Sequence, residues 1–256
     1  SNSRIKRLVQ LNQKSKLRRT EDVFLAEGVK MFLEAPREQL QEVYVSESFL
    51  EKCSCREHLE EVGYEVVSDS VFSKISDTCT PQGVLCVLKQ FHYNIEEMLR
   101  DKAPLFLLLE NIQDPGNLGT MLRTGEGAGV SGIIMSRDTV DLYNPKVIRS
   151  TMGSIYRVPF YYADDFAAAV HQVQRAGVSV YAAHLRGKNS YACQDYTKGT
   201  AFLIGNEGNG LREETAELAD CYIRIPMEGK VESLNAAVAS SILMYEAHRQ
   251  RATIEK

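Results

Sequence analysis

The sequence predicts an α/β protein in two parts, a small N-terminal α/β domain followed by a larger domain built on a mostly parallel sheet. Three observations carry that prediction. Leu105–Leu109 (LFLLL) is an unbroken apolar run, the pattern of a strand buried on both faces of its sheet. After it, short apolar runs alternate with longer helical patterns, as in parallel βαβ units. Before it, residues 89–104 (KQFHYNIEEMLRDKAP) are charge-rich and end in Pro104, which suits a connecting segment. The expected domains are 1–95 and 105–256, joined by 96–104.

In the first half, strands are expected at Val23–Ala26, Glu42–Val45, Tyr64–Val67 and Val84–Leu88, with helical stretches between them. In the second half, strands follow at Leu105–Leu109, Gly132–Met135, Val178–Ala182, Ala201–Ile204 and Tyr222–Ile225. Helices are expected near 117–127, 164–175 and 212–219, and a long one closes the chain from about 235 to 250.

At 256 residues, 44% hydrophobic and 25% charged, the chain has the composition of a folded globular protein, which excludes disorder. No stretch approaches the roughly 18 apolar residues of a membrane span, and the basic, polar N-terminus lacks the apolar segment of a signal peptide. Ser1-Asn2 is read as a remnant of expression. The six cysteines (53, 55, 79, 86, 193 and 221) show no C-x-x-C spacing and no nearby histidine cluster, so no metal is expected and a reducing cytoplasm suits them. The net charge of −4 excludes a bulk polycation. Yet Arg4, Lys6, Arg7, Lys14, Lys16, Arg18 and Arg19 follow one another without an intervening acid. That stretch is either a solvated helix face or a phosphate-contacting patch.

Gly127-Ala-Gly129-Val-Ser-Gly132 fits the G-x-G-x-x-G spacing of a dinucleotide-binding turn. That turn must directly follow the first strand and open the next helix. Here a helix precedes the glycines, so they read as its C-terminal cap and the turn beyond. A nicotinamide enzyme is thereby disfavoured.

Three other constellations carry chemistry. The first is Asn111, Asp114-Pro115-Gly116-Asn117, Gly119 and Arg123; Asp-Pro-Gly is a turn, and Asn117 suits the N-cap of the following helix. The second, Gly205–Leu211 (GNEGNGL), lies at the carboxyl end of an apolar strand, where open α/β sheets bind ligands. It is a tight turn or a ligand loop, and Glu207 at its centre favours the latter. The third runs from Ile225 through Met227, Gly229, Ser233, Leu234 and Asn235 into a helix that starts with small residues. Ser233 or Asn235 would cap that helix.

In this order and spacing the segments NIQDPGNLGTMLRT (111–124), FLIGNEGNGL (202–211) and IRIPMEGKVESLNAAVA (223–239) resemble the SpoU (TrmH) branch of the SPOUT RNA methyltransferases. The likeness spans nearly all of 105–250. FLAEGVKMFLEA (24–35) and TPQGVLCV (80–87) add a weaker likeness to the small RNA-binding domain found ahead of many members. The resemblance implies S-adenosylmethionine-dependent methylation of a ribose 2′-hydroxyl in RNA, in the cytoplasm. The separate N-terminal domain favours ribosomal over transfer RNA by analogy. It also implies a C-terminal trefoil knot that forms the cofactor pocket, with a homodimer beside it. Cofactor contacts would fall on Gly205, Ile225, Met227 and Leu234, and the catalytic set would be Asn117, Arg123, Glu207, Ser233 and Asn235. A catalytically silent RNA-binding protein would keep the fold without needing Arg123, Glu207 and Asn235 together.

Methyl transfer to a hydroxyl is an in-line displacement in which positioning supplies much of the rate. The hydroxyl also needs a proton acceptor. Glu207 and Arg123 are the candidates. The resemblance implies Arg123 as base once an RNA phosphate pairs with it, but a guanidinium resists deprotonation, and a bidentate phosphate clamp is the alternative. Residues 125–128 (GEGA) depart from the alanine-rich sequence usual there.

Overall fold

The computed structural model describes residues 3–254; Ser1 and Asn2 lie outside them. Contacts divide the chain into two compact units. One holds the residues up to Phe91 together with Asp141–Tyr156, the other His92–Val140 and the chain from Arg157 onward.

The first unit opens with helices α1 (Ser3–Gln13) and α2 (Ser15–Glu21). Strands β1 (Val23–Glu27), β2 (Leu40–Ser46), β3 (Glu65–Val67) and β4 (Val84–Lys89) form a sheet in the order β1-β4-β2-β3, antiparallel except for β2–β3. Between them run α3 (Val29–Leu33), α4 (Glu47–Lys52), α5 (Arg56–Val62) and α6 (Asp69–Ile75). Ser46 and Ser68 start α4 and α6 by accepting the amides of Phe49 and Val71. Helix α1 turns Leu8 and Leu11 onto Leu25, Phe72, Ile75 and Val87.

The basic stretch is largely spent inside this unit. Arg18 is only 3% exposed and donates to the carbonyls of Leu11 (2.6 Å) and Asn12 (3.2 Å) and to the Asp141 carboxylate (2.6 Å). Arg7 pairs with Glu21 and Glu42, and Arg4 with Glu65. Three of the seven charges are thus paired within the unit, which leaves a smaller set for either a solvated face or a phosphate-contacting patch. Among the described residues only Lys6, Lys14, Lys16 and Arg19 of the seven are exposed without an ion pair.

The second unit runs α7 (Ile95–Met98), β5 (Leu105–Leu109), α8 (Pro115–Ala128) and β6 (Gly132–Ser136). The excursion carrying α9 (Pro145–Thr151) belongs to the first unit. The second unit resumes with β7 (Phe160–Ala163), α10 (Phe166–Arg175), β8 (Ser179–Ala183), β9 (Asn189–Ser190), β10 (Thr200–Ile204), α11 (Glu213–Ala216), β11 (Cys221–Arg224) and α12 (Ala236–Ile254). Its seven strands lie in the order β7-β6-β5-β10-β8-β11-β9, every pair parallel. The central strands β5 and β10 are buried at every residue, as the unbroken apolar runs require. Val170 and Val173 of α10 pack on Phe106, Leu108, Ala201 and Leu203. Helix α12 lies along α8 and reaches β10. Strands β7 and β9 went unanticipated: FYYA is four residues long and only half-buried at its centre, and Asn-Ser is too short to show a period.

Register decides where chemistry can occur. Leu109 pairs with Ile204 and with Met135, so Glu110, Gly205 and Ser136 emerge together at the carboxyl edge. The C-terminal helix is tied back to the opposite edge, where the Arg251 guanidinium donates to the carbonyls of Ala103 (2.8 Å), Tyr196 (2.9 Å) and Lys198 (2.8 Å).

Candidate functional site

Helix α8 is capped by Asp114, whose carboxylate accepts the Asn117 amide at 2.7 Å, with Pro115 as the first helical residue. This corrects the expected Asn117 cap: proline is suited to the first position, so the cap is the residue before it. The side chain of Asn117 is thereby free for other work. Gly129 ends the helix in the left-handed region at φ 78°, as the C-cap reading of the glycines requires.

One amide joins the three motif segments. Asn117 Nδ2 donates to Glu207 Oε1 at 3.1 Å, and Asn117 Oδ1 accepts from Asn235 Nδ2 at 3.0 Å. Asn235 in turn caps α12, accepting the amides of Ala237 (2.9 Å) and Val238 (3.2 Å). Ser233 does not take that role; it is exposed and hydrogen-bonds nothing among the described residues. The small residues of α12 allow close approach, with the Ser241 and Thr124 hydroxyls 3.4 Å apart.

Glu207 also accepts the backbone amides of Gln113 (3.0 Å) and Asp114 (3.0 Å). Partial burial alone would raise its pKa. The amides of Asp114 and Gln113, its own amide and the Asn117 side chain overcome this and hold the carboxyl below the usual range. The loop around it closes on itself: Asn206 and Gly210 exchange backbone bonds, and Asn206 Oδ1 accepts the amides of Gly208 and Asn209, both at 3.0 Å. Asn206 Nδ2 donates to the carbonyl of Asn111 at 2.8 Å, a residue in the left-handed region at φ 54°. At Gly205 a Cβ would lie 2.2 Å from the Leu211 nitrogen, so the loop itself demands glycine there.

Beneath these loops lies a network absent from the sequence reading. Glu110, 2% exposed, accepts the Arg212 amide (2.8 Å), its guanidinium (3.2 Å) and the Thr215 hydroxyl (2.5 Å). The same guanidinium bonds Asp138, which also takes the Ser136 hydroxyl at 2.5 Å. Ser136 Oγ in turn accepts the Asn111 amide at 2.8 Å. Burial would raise the Asp138 pKa, but the Ser136 and Arg212 contacts hold it low. The available signal was an acid closing an apolar strand, Glu110, and a base just after the glycine loop, Arg212.

Arg123 sits on the exposed side of α8 and makes no hydrogen bond or ion pair among the described residues. It is a cation left open to an anionic ligand. Ile225, Met227 and Leu234 are half-buried apolar side chains along an irregular segment, and the backbone groups of 227–234 bond nothing else among the described residues. Apolar surface beside open amides and carbonyls fits an adenosine, whose base has flat apolar faces and a polar edge. The arrangement suits S-adenosylmethionine. Among the described residues no group of three or more His, Cys, Asp or Glu side chains converges on a metal site, and no helix is long and apolar enough to cross a membrane.

Residues 104–245 match the sequence model of the SpoU rRNA Methylase family, and residues 2–86 that of an MRM3-like substrate binding domain. The 23S rRNA (guanosine(2553)-2′-O)-methyltransferase RlmP of Bacillus subtilis is 35% identical over 180 residues, 70% of each chain. The 23S rRNA (guanosine-2′-O-)-methyltransferase RlmB of Bordetella pertussis is 32% identical over 222 residues, 84% of this chain and 91% of that protein. Among solved structures, the SpoU methyltransferase AviRb from Streptomyces viridochromogenes in complex with AdoMet superposes with a TM-score of 0.90 at 26% identity, covering 99% of both chains.

Proposed function

The chain belongs to the SpoU rRNA methylase family, and from that premise we infer that it methylates a ribose 2′-hydroxyl of ribosomal RNA with S-adenosylmethionine as donor. The fold is that of the SPOUT enzymes. The observation that carries the reading is the Glu207–Asn117–Asn235 chain of hydrogen bonds, which holds three distant motifs at one edge of the sheet, with Arg123 exposed six residues further along α8.

Bound in the irregular 225–235 segment, the sulfonium cofactor would supply an electrophilic methyl group. Gly205, Ile225, Met227 and Leu234 are the residues proposed to hold it. The rest is positioning. Asn117 and Asn235 fix the two loops, and Ser233, exposed beside them, is free to bond the ribose. Glu207 already accepts several hydrogen bonds and has a lowered pKa, so it is a poor proton acceptor near neutral pH. We assign it to anchoring. Arg123 is proposed to grip the phosphate beside the target ribose through its fork of donors, so that as the new C–O bond forms and the methyl–sulfur bond breaks the hydroxyl proton leaves to solvent water. Arg123→Lys separates clamp from base: near-full turnover with about tenfold weaker RNA binding supports the clamp, whereas a collapse of turnover with binding intact supports the base.

The N-terminal 1–95 region is read as the RNA-binding domain, joined by 96–104 to the transferase. A homodimer through the α12 side and a cytoplasmic site of action complete the proposal. Mapping 2′-O-methyl groups in ribosomal and transfer RNA from cells with and without this gene tests it. Loss of a ribosomal site is expected; loss of a transfer RNA site alone would overturn the substrate and leave the chemistry standing.

A further inference from the structure

A groove of about 370 Å³ lies in the first unit, within the segment that matches a substrate-binding domain. It runs between the start of α3 at Val29, the start of α4 at Ser46 and Phe49, the 52–55 turn and the loop at Pro81–Gly83. Its volume falls in the range of about 300–1,000 Å³ that holds small ligands. Two features give it a chemical character. Phe49 is a half-buried aromatic wall seated against Gly83, where φ is +85° and a Cβ would come within 2.4 Å of the Phe49 Cβ. Lys52 is the only charged side chain in the lining, exposed and without an ion pair among the described residues. The Asp69 carboxylate, whose field reaches it, is taken up by the Ser48 hydroxyl at 2.6 Å. Ser54, exposed and without a hydrogen bond among the described residues, adds a polar group to the lining.

Since this rests on the RNA reading above, we propose that the groove takes one unstacked nucleotide of the RNA substrate, its base against Phe49 and its phosphate near Lys52. Aromatic faces hold splayed bases without demanding sequence, and a lone cation beside them pairs with the backbone. This gives the first unit a specific contact, which the mostly self-paired arginines of α1 and α2 do not provide.

The test uses the full chain and 23S ribosomal RNA transcribed in vitro. Phe49→Leu keeps the packing and removes the aromatic face; RNA binding should weaken roughly 5- to 150-fold, with Phe49→Tyr near wild type. Lys52→Gln should lower the slope of log affinity against log salt by about 1. Ultraviolet crosslinking should attach the RNA to the peptide containing Phe49. S-adenosylmethionine binding should be unchanged in every variant. If RNA is methylated but Phe49→Leu and Lys52→Gln bind it as well as wild type, the groove proposal fails while the enzymatic reading stands. If the variants lose binding only to RNA that carries ribosomal proteins, the occupant is a protein and the proposal is overturned. A wild-type chain that binds no RNA sinks both readings.

Discussion

Asn117 uses both ends of one amide, donating a hydrogen bond to Glu207 and accepting one from Asn235, so a single side chain orients residues that lie 90 and 118 positions away. The sequence marks Asn117 as important but misassigns its local task, because Pro115 moves the cap to Asp114. Glu207 shows the same limit. A carboxylate among glycines reads as reactive, and its surroundings make it an anchor. A carboxyl with a lowered pKa contributes its anchoring fully above the ordinary glutamate value of about 4.3 and loses it only as pH falls through the lower folded value. The rate–pH profile of methyl transfer should therefore show no limb from Glu207 near neutrality. Glu207→Gln should lower the rate evenly across about pH 6 to 9; an acid limb in that window that vanishes in the variant would show that Glu207 is the base after all.

At the scale of elements, the carboxyl ends of β5, β6 and β10 are held by charge and by loop geometry. Glu110 at the end of β5 holds Arg212 just beyond β10, and Arg212 holds Asp138 just beyond β6. Breaking a fully buried pair costs about 3–5 kcal/mol. Arg212 keeps 48% of its side chain in water, so Glu110→Ala should cost less, about 2–3 kcal/mol, measured by chemical unfolding. Gly205 is constrained by the loop's own backbone, not by a ligand alone. Gly205→Ala should destabilise by about 1–3 kcal/mol and displace Glu207. Unfolding at the wild-type midpoint together with normal S-adenosylmethionine binding would refute it. The strands themselves were legible because Leu105–Leu109 and Ala201–Ile204 are buried on both faces and so read as apolar runs. Strand β9 was not, since two residues joined to β11 carry no pattern of their own.

At the scale of the whole molecule, Val238 and Tyr245 stand seven residues apart on α12, each 48% exposed, and so share a face two turns long. If the proposed homodimer uses this side of α12, these two side chains lie in its interface. Tyr245→Arg should shift the chain toward monomer in light scattering and lower turnover with it; an unchanged mass would argue against that face. The sequence by itself determined the α/β class and the parallel sheet, because apolar periodicity and turn chemistry act over a few residues, while the residues expected to meet came from the likeness of three motifs to a family. Only the tertiary structure decided that Arg4, Arg7 and Arg18 serve their own unit, that 141–156 joins the first unit, and that Glu110 and Arg212 underlie the loops. Those outcomes depend on which charge finds which partner across a hundred residues of chain, and distance along the sequence carries no record of distance in space.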